Sequence, residues 1–322
     1  MNLSQIRQEA NQRLQENDSS FRKLVLIHAA VTAGVSLLLM VVTCLSKYIA
    51  PQGGLSNMGT QDLLSTVQAM LRIGSTIAIP FWNAGLVFCA LCLLRGKDHP
   101  PSTLIEGFRR WRTIAASLLI RGLTYFFVMI GCSFISSFAT SILPLSPTLI
   151  EELNAFMEAP AFPLSTEMLF FLGACLVIYI ASLCVLLVPK VYQHRLVTYR
   201  IMDDEPCTGL QSVIRSSYLM KDKRKQLLLL DLSFWWFYLL ELLVSVLSIG
   251  DLVIARLNIS LSIGAETAAW VFPIVALLAR LVLYWYAKPK LAATYAVFYQ
   301  RATVESTNEQ EPPKPKQMPW TY

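Results

Sequence analysis

Six long apolar runs constrain this chain more than any other feature of its sequence. They cover residues 24–46, 74–94, 113–139, 168–189, 226–248 and 268–287. About 20 consecutive apolar residues are enough to cross the hydrocarbon core of a bilayer as a helix. Lipid offers the backbone no hydrogen-bond partners, so runs of this length indicate α-helices. The sequence therefore predicts an all-α polytopic membrane protein with six transmembrane helices.

The composition agrees with a membrane protein. Charged residues make up 15% of the 322 residues, whereas soluble domains carry roughly 25%. The net charge is +6 and the mean hydropathy is +0.51. Because the basic residues flank the apolar runs and form no separate basic domain, we expect no nucleic-acid partner.

The distribution of Lys and Arg predicts the orientation of the six helices. Of the 27 such residues, only Lys47, Arg72 and Arg256 fall in segments on one side, and Arg121 and Arg280 lie within the runs. All the others fall in the N-terminal segment, the second and fourth connections and the C-terminal segment, which share the opposite side. Basic connections stay in the cytoplasm. We therefore predict a multi-pass protein of the cell membrane with both termini cytoplasmic.

Three basic segments on the cytoplasmic side have the periodicity of amphipathic helices, and each precedes an odd-numbered span. Their apolar positions are Leu3, Ile6, Ala10 and Leu14 in the first, Leu104, Phe108 and Trp111 in the second, and Leu210, Val213 and Ile214 in the third. Such helices lie in the headgroup plane with their cations near anionic lipid. They suggest three units of an in-plane helix and a two-span hairpin. The alternative is that any connection between spans tends to be amphipathic.

These segments divide the chain into three regions. Residues 1–23 form an amphipathic cytoplasmic helix, residues 24–301 a six-helix transmembrane domain, and residues 302–322 a polar, proline-rich cytoplasmic tail that we expect to be disordered.

The segments on the outer side are less basic. Apolar residues in 149–157 are helically spaced, which predicts a short in-plane helix. Residues 60–72 either lie on the outer surface or extend the second span. Asn83, beside Pro80 and Gly85, is compatible with a break in the second helix, and broken helices often expose backbone to a substrate.

Five ionisable residues within the runs are functional candidates, because an ionisable group in a span is costly to bury. Arg121 and Asp231 lie roughly 8–12 Å from the inner boundary at about 1.5 Å per residue, with His28 at a similar depth. They form either a polar cluster lining a cavity or relay, or a snorkelling arginine and a structural ion pair. Glu241 and Arg280 lie deeper, on consecutive helices, and can pair either structurally or as a substrate or proton site.

Motifs of enzyme classes are missing from the sequence. It contains no H-E-x-x-H, no G-x-S-x-G, no Walker-type loop and no Rossmann fingerprint. Cys89 and Cys92 have no second pair or nearby histidine to complete a zinc or redox site, and buried cysteines behave as small hydrophobes. The acidic run 203–205 is either metal-ligating or a capping segment beside Pro206. We therefore expect no catalytic residue, no cofactor and no metal.

Four segments carry a resemblance to a known family. IRQEANQRL, LIEGFRRW, SSYLMKDKRKQLLLLDLSFWW and YAKPKLAATYAVFYQ resemble the domain of unknown function 975 family of integral membrane proteins, found mostly in Gram-positive Firmicutes. Asp222 and Lys290 depart from the family pattern, where glycine and tyrosine stand. The matching residues are Ser217, Leu219, Met220, Lys221, Leu232, Ser233, Phe234, Trp236, Pro289, Thr294, Ala296, Phe298 and Tyr299. The resemblance covers roughly residues 5–301 and implies a six-span bacterial membrane protein of no established activity.

Two functions of different classes follow from these features. The first is a non-enzymatic protein that organises the membrane, binds lipid or docks partners, with the bilayer and its anionic cytoplasmic lipids as partner. Its candidate lipid contacts are Arg109, Arg110, Arg112, Lys221, Lys223, Arg224 and Lys225. The second is a transporter or permease of a small solute that uses His28, Arg121, Asp231, Glu241 and Arg280. A membrane enzyme acting on lipid has only the charged pairs in its favour.

Overall fold

The computed structural model describes residues 2–16, 18–49, 55–97, 100–142, 146–158, 165–203, 207–248 and 265–308. Every regular element in those ranges is a helix, which confirms the all-α prediction. In chain order the elements are α1 (Leu3–Glu16), α2 (Asp18–Ile49), α3 (Leu55–Leu94), a 3-10 helix (Pro101–Ile105), α4 (Glu106–Arg109), α5 (Trp111–Ser141), α6 (Pro147–Glu158), α7 (Thr166–Gln193), α8 (Val197–Met202), α9 (Gly209–Leu219), α10 (Arg224–Ser233), α11 (Trp235–Ser248), α12 (Ala265–Tyr286) and α13 (Lys288–Asn308).

The described helices include four to six that can cross a membrane. Ser20–Thr43, Asp62–Leu94, Trp111–Ser141 and Thr166–Met202 are each long and apolar enough alone. Two further pairs meet the same criterion only together. Arg224–Ser233 and Trp235–Ser248 are bent by 62°, and Trp270–Tyr286 and Lys288–Ser306 by 45°. Length and composition thus make this a multi-pass membrane protein.

The second predicted span is longer than expected and unbroken. α3 has 40 residues and runs through Pro80, so residues 60–72 extend the span and the possible break near Asn83 is not present. Proline is tolerated in membrane helices, where neighbouring groups satisfy the freed backbone. After α3, Gly96 has a φ of 62°, and the Lys97 N–H donates to the Cys92 carbonyl at 3.0 Å. This is a Schellman-type helix end.

The fifth predicted span, 226–248, is bent rather than straight. The Ser233 hydroxyl donates to the Leu230 carbonyl at 2.5 Å, which is the acceptor that a continuous helix would offer to the Phe234 N–H. That N–H donates instead to the Asp231 carbonyl at 2.9 Å. Side-chain hydroxyls that compete in this way bend helices. Asp231 therefore lies in α10, before the bend, and not inside a straight span.

The chain forms two compact units. Unit 1 comprises Met1–Ile114, Thr198–Thr208 and Lys225–Tyr322, and unit 2 comprises Ala115–Val197 and Gly209–Arg224. Each unit is described by itself below.

In unit 1, α2 and α3 are antiparallel neighbours, and two contacts between polar side chains fix their register. His28 Nε2 lies 3.1 Å from Asn83 Oδ1, and Gln68 Nε2 donates to Thr43 Oγ1 at 2.9 Å. The contacts are 15 residues apart on both helices, from 28 to 43 and from 68 to 83. One antiparallel register therefore satisfies both contacts, about 22 Å apart along the helices at 1.5 Å per residue.

α1 packs on α13 within unit 1. Its residues Ile6, Ala10 and Leu14 are buried, and Arg301 donates to Glu9 Oε2 from Nε at 2.9 Å and from Nη2 at 2.5 Å. The predicted helix and its apolar stripe are present, but the expectation that the stripe rests on lipid is wrong. α13 supplies the apolar surface that covers it.

α13 also corrects the boundary of the predicted tail. The helix continues to Asn308, and Ala302 is fully buried, so the chain remains folded beyond residue 301. The rest of the predicted tail, 309–322, lies outside the described residues, as do Asp204 and Glu205 of the acidic run.

The second predicted in-plane helix is a compact turn held against α3. It consists of the 3-10 helix and the single turn of α4. It packs closely on α3 because Gly85 and Gly107 have no side chains to separate the two backbones. A Cβ added at Gly85 would lie 1.9 Å from the Leu104 carbonyl oxygen, and one at Gly107 would lie 1.9 Å from that of Phe81. Leu104 is buried there. The segment therefore packs on protein along this side and is not a free amphipathic helix.

In unit 2, few residues of the two long apolar helices are fully buried. Only 6% of the most apolar window of Trp111–Ser141 is buried, and 0% of that of Thr166–Met202. The helix expected at 149–157 is α6, and Ser146 Oγ beside it donates to Glu167 Oε2 of α7 at 3.0 Å. α9 is held to the end of α7, where Ser216 Oγ donates to the Gln193 carbonyl at 3.0 Å.

Candidate functional site

The predicted contact between Glu241 and Arg280 is present in unit 1. Arg280 Nε lies 3.1 Å from Glu241 Oε1, and Arg280 Nη2 donates to Ser245 Oγ at 3.1 Å. The Tyr284 hydroxyl donates to the same Glu241 oxygen at 3.2 Å, and the Lys288 ammonium lies 5.0 Å above the Tyr284 ring. The pair thus joins α11 to α12 inside a small polar network.

Asp231 anchors the bend to α13. The Tyr295 hydroxyl donates to Asp231 Oδ1, and the Tyr238 hydroxyl lies 3.5 Å from the same oxygen. The two hydroxyls are 3.1 Å apart. Asp231 and Arg121 belong to different units, so the pairing expected between them stays a prediction.

His28 is buried between α2 and α3. Its ring stacks on Trp82 with 5.7 Å between centroids, and the Trp82 indole N–H donates to the His28 carbonyl at 3.2 Å. Among the described residues, Nδ1 has no hydrogen-bond partner. The Asn83 contact and the stacking make His28 a packed core residue of unit 1.

A buried charged cluster around Asp203 was not predicted as a site. Arg95 donates to Asp203 Oδ1, Tyr299 donates to Oδ2 at 2.5 Å, and Arg200 donates to Oδ2 at 3.4 Å. These residues come from the end of α3, from α8 and from α13. The partners are 108 and 96 residues away along the chain, so no local pattern could have found them. The sequence signal at this position was the acidic run 203–205 before Pro206.

Arg121 lies in unit 2 on α5. Its Nε donates to the Ser117 carbonyl at 3.3 Å. One turn further, the Tyr125 ring lies 5.7 Å from the ring of His194 at the end of α7. An apolar groove of about 390 Å³ follows along α5, lined by Phe126, Met129, Ile130, Ser133, Phe134 and Ser137.

The three arginines proposed as lipid contacts in the second connection differ in their surroundings. The side chain of Arg109 is 76% exposed and pairs with Glu106 at 3.2 Å. Arg112 lies 5.6 Å above the Trp111 ring. Arg110 is 30% exposed and donates to the carbonyls of residues 201 and 203 at 2.6 and 2.8 Å. Arg110 therefore has a structural role, and its assignment as a lipid contact stays a prediction.

The surface of α9 differs from its predicted face. Leu210, Ile214 and Tyr218 are exposed, whereas Val213 is buried with Ser212 and Ser216 against the rest of the unit. Arg215, Lys221 and Lys225 are exposed and Lys223 and Arg224 half-buried.

In the described part of the chain, no three His, Cys, Asp or Glu residues are grouped as metal ligands. Cys89 and Cys92 are buried free thiols, and Cys89 Sγ lies 3.0 Å from Thr103 Oγ1.

Comparison with known proteins gives no relative from which a role can be transferred. No family model matches the sequence, and no curated protein and no solved structure matches it significantly. The case for a function therefore depends on the geometry of the chain itself.

Proposed function

We propose that this protein is a non-enzymatic membrane protein that binds anionic lipid at its cytoplasmic face. The observation that carries the proposal is the outer surface of α9. Leu210, Ile214 and Tyr218 are 55%, 58% and 46% exposed at a spacing of four residues, and they form one stripe. An apolar stripe bordered by cations lies at the headgroup level of a bilayer, and each nearby Lys or Arg adds about 1 kcal/mol on an anionic surface.

The six-span topology with cytoplasmic termini belongs to the same proposal. The contacts Glu9–Arg301, Tyr299–Asp203 and Arg95–Asp203 join four segments of unit 1, and the polar α1 cannot lie in hydrocarbon. Segments that touch in water lie on one side of the membrane, so an even number of crossings separates them. α2 with α3, α5 with α7, and the bent α10–α11 with α12 supply two crossings each. Their basic flanks favour the cytoplasm for this layer.

Membership of the domain of unknown function 975 family, and with it a bacterial origin, is also a proposal. Its support is that several motif residues are core positions of unit 1. Thr294, Ala296, Phe298 and Tyr299 are all buried, as the packing of α13 requires.

The depth of α9 in a bilayer tests the lipid-binding proposal. The full chain is spin-labelled at position 214 and reconstituted with and without phosphatidylglycerol. We expect the label to be accessible to oxygen, about 5–10 Å below the headgroup boundary, and to become shallower in Lys221→Gln/Lys225→Gln.

A label at exposed position 222 is the aqueous control. If the label at 214 is as accessible to a water-soluble nickel complex as the label at 222, α9 does not bind the membrane and the proposal fails.

A transporter is the second candidate, and the Glu241–Arg280–Tyr284 network favours it. Charged groups within spans often mark a substrate path. On this hypothesis, Glu241→Gln abolishes solute flux into proteoliposomes while the protein stays folded. A structural pair instead changes stability, as considered in the Discussion.

A further inference from the structure

We propose that unit 2 contains a specific site for the phosphate of an anionic phospholipid, formed by Arg121, Lys190 and Arg224 around His194. The inference rests on the proposed lipid-binding function and names the headgroup chemistry and the residues that recognise it. It concerns a site distinct from the α9 stripe, because Arg121 lies within the apolar helix α5.

The positive charges of the site converge on one buried ring. Arg121 lies one turn before Tyr125 on α5. Lys190 lies one turn before His194 at the end of α7, where the His194 N–H donates to the Lys190 carbonyl at 3.2 Å. His194 is 5% exposed, and the charges of Arg121, Lys190 and Arg224 also act on it. Tyr125 packs beside that ring with 5.7 Å between centroids. The hydrogen bond from Ser216 to the Gln193 carbonyl places the segment after α9 near the same end of α7.

These cations have no counter-ion among the described residues. In the described part of the chain, Arg121, Lys190 and Arg224 form no ion pair with a carboxylate. Arg121 Nε donates to the Ser117 carbonyl. Among the described residues, Arg224 Nε and His194 Nδ1 are buried and have no hydrogen-bond partner. A half-buried arginine is stabilised by an anion beside it, and phosphate oxygens accept from arginine in a forked geometry.

The position of Arg121 favours a lipid over a free phosphate. The neighbouring Leu119 and Leu123 are exposed. Only 6% of the residues in the most apolar stretch of this helix are buried. An anion beside Arg121 therefore arrives from the lipid side. Arg121, Tyr125 and Met129 follow one another on α5 at a spacing of four residues, and Met129 lines the apolar groove. A headgroup held by Arg121 thus leaves an acyl chain beside that groove.

Native mass spectrometry of the full chain in detergent tests the site. The delipidated protein is titrated with dioctanoyl phosphatidylglycerol, dioctanoyl phosphatidylcholine or inorganic phosphate. We expect saturable binding of phosphatidylglycerol alone. Arg121→Gln and Lys190→Gln should each weaken it about tenfold, as loss of one charge-assisted hydrogen bond predicts. Arg121→Lys should retain part of the affinity, because lysine keeps the positive charge but not the forked hydrogen bonds.

The matched control is Lys290→Gln, which removes an exposed charge in unit 1 and should leave the affinity unchanged. Lys190 is exposed, so Lys190→Gln still reports on the site if Arg121→Gln does not fold. Unchanged binding in Lys190→Gln, equal binding of phosphatidylcholine, or equal binding of inorganic phosphate overturns the lipid site. An interfacial label at position 214 would then still support the function of α9, so the two proposals fail separately.

Discussion

At Gly85 and Gly107, two backbones approach so closely that no side chain fits between them. The atoms that an added Cβ would meet are carbonyl oxygens 1.9 Å away, which cannot rotate aside as a flexible side chain can. We therefore expect Gly85→Ala and Gly107→Ala each to lower the free energy of unfolding by about 1–3 kcal/mol, measured as a lower Tm in detergent.

Gly74→Ala and Gly131→Ala are the controls, because nothing lies within 4 Å of the added Cβ at either position. Alanine is the better helix former by roughly 0.5–1 kcal/mol, so these variants should be neutral or slightly more stable. An equal loss of stability in all four variants would exclude the close approach as the cause.

The Glu241–Arg280 pair gives a second prediction at the level of residues. Removing one charge leaves the other uncompensated in a partly buried site. The losses of stability in Glu241→Gln and Arg280→Gln should therefore sum to more than the loss in the double Gln variant. The side chains are 27% and 32% exposed, and we expect a coupling energy on the order of 1 kcal/mol. A double-mutant cycle of unfolding measures it, and strictly additive single effects would contradict a structural pair.

Between elements, the two polar contacts of α2 and α3 should stabilise their packing independently. Gln68→Leu and Asn83→Leu should each cost about 0.6 kcal/mol, the average for hydrogen bonds between membrane helices. Contacts this far apart should give additive effects. Thr76→Val is the control, because Thr76 donates within its own helix to the Arg72 carbonyl. An effect of Thr76→Val as large as the other two would argue against interhelical clamping.

Element types could be predicted from the sequence, but the surfaces that cover them could not. Periodicity placed Ile6, Ala10 and Leu14 on one face of α1, yet nothing local shows that α13 covers it. The bend after Ser233 depends on a single hydroxyl that a hydropathy pattern does not register. The Asp203 cluster needs partners about 100 residues distant, which only the tertiary fold brings together. Glu241 and Arg280 were predictable because they lie on consecutive helices.

For the whole molecule, the proposed topology predicts which positions face the cytoplasm. In a cysteine-free background, cysteines at the exposed positions 11 and 300 should react with an impermeant thiol reagent only after the membrane is opened. A cysteine at the exposed position 151 should react in intact cells. Opposite reactivity of positions 11 and 300 would mean an odd number of crossings and would exclude six spans.

The contact between α1 and α13 also bears on how the protein is made. Glu9 and Arg301 are separated by 292 positions, so a ribosome releases the first helix long before its partner has been translated. Until then α1 can bury its apolar face at the membrane surface. It can pack on α13 only after α13 has been synthesised. A chain truncated before α13 leaves the apolar face of α1 exposed, and this exposed face distinguishes an incomplete product from the full-length protein.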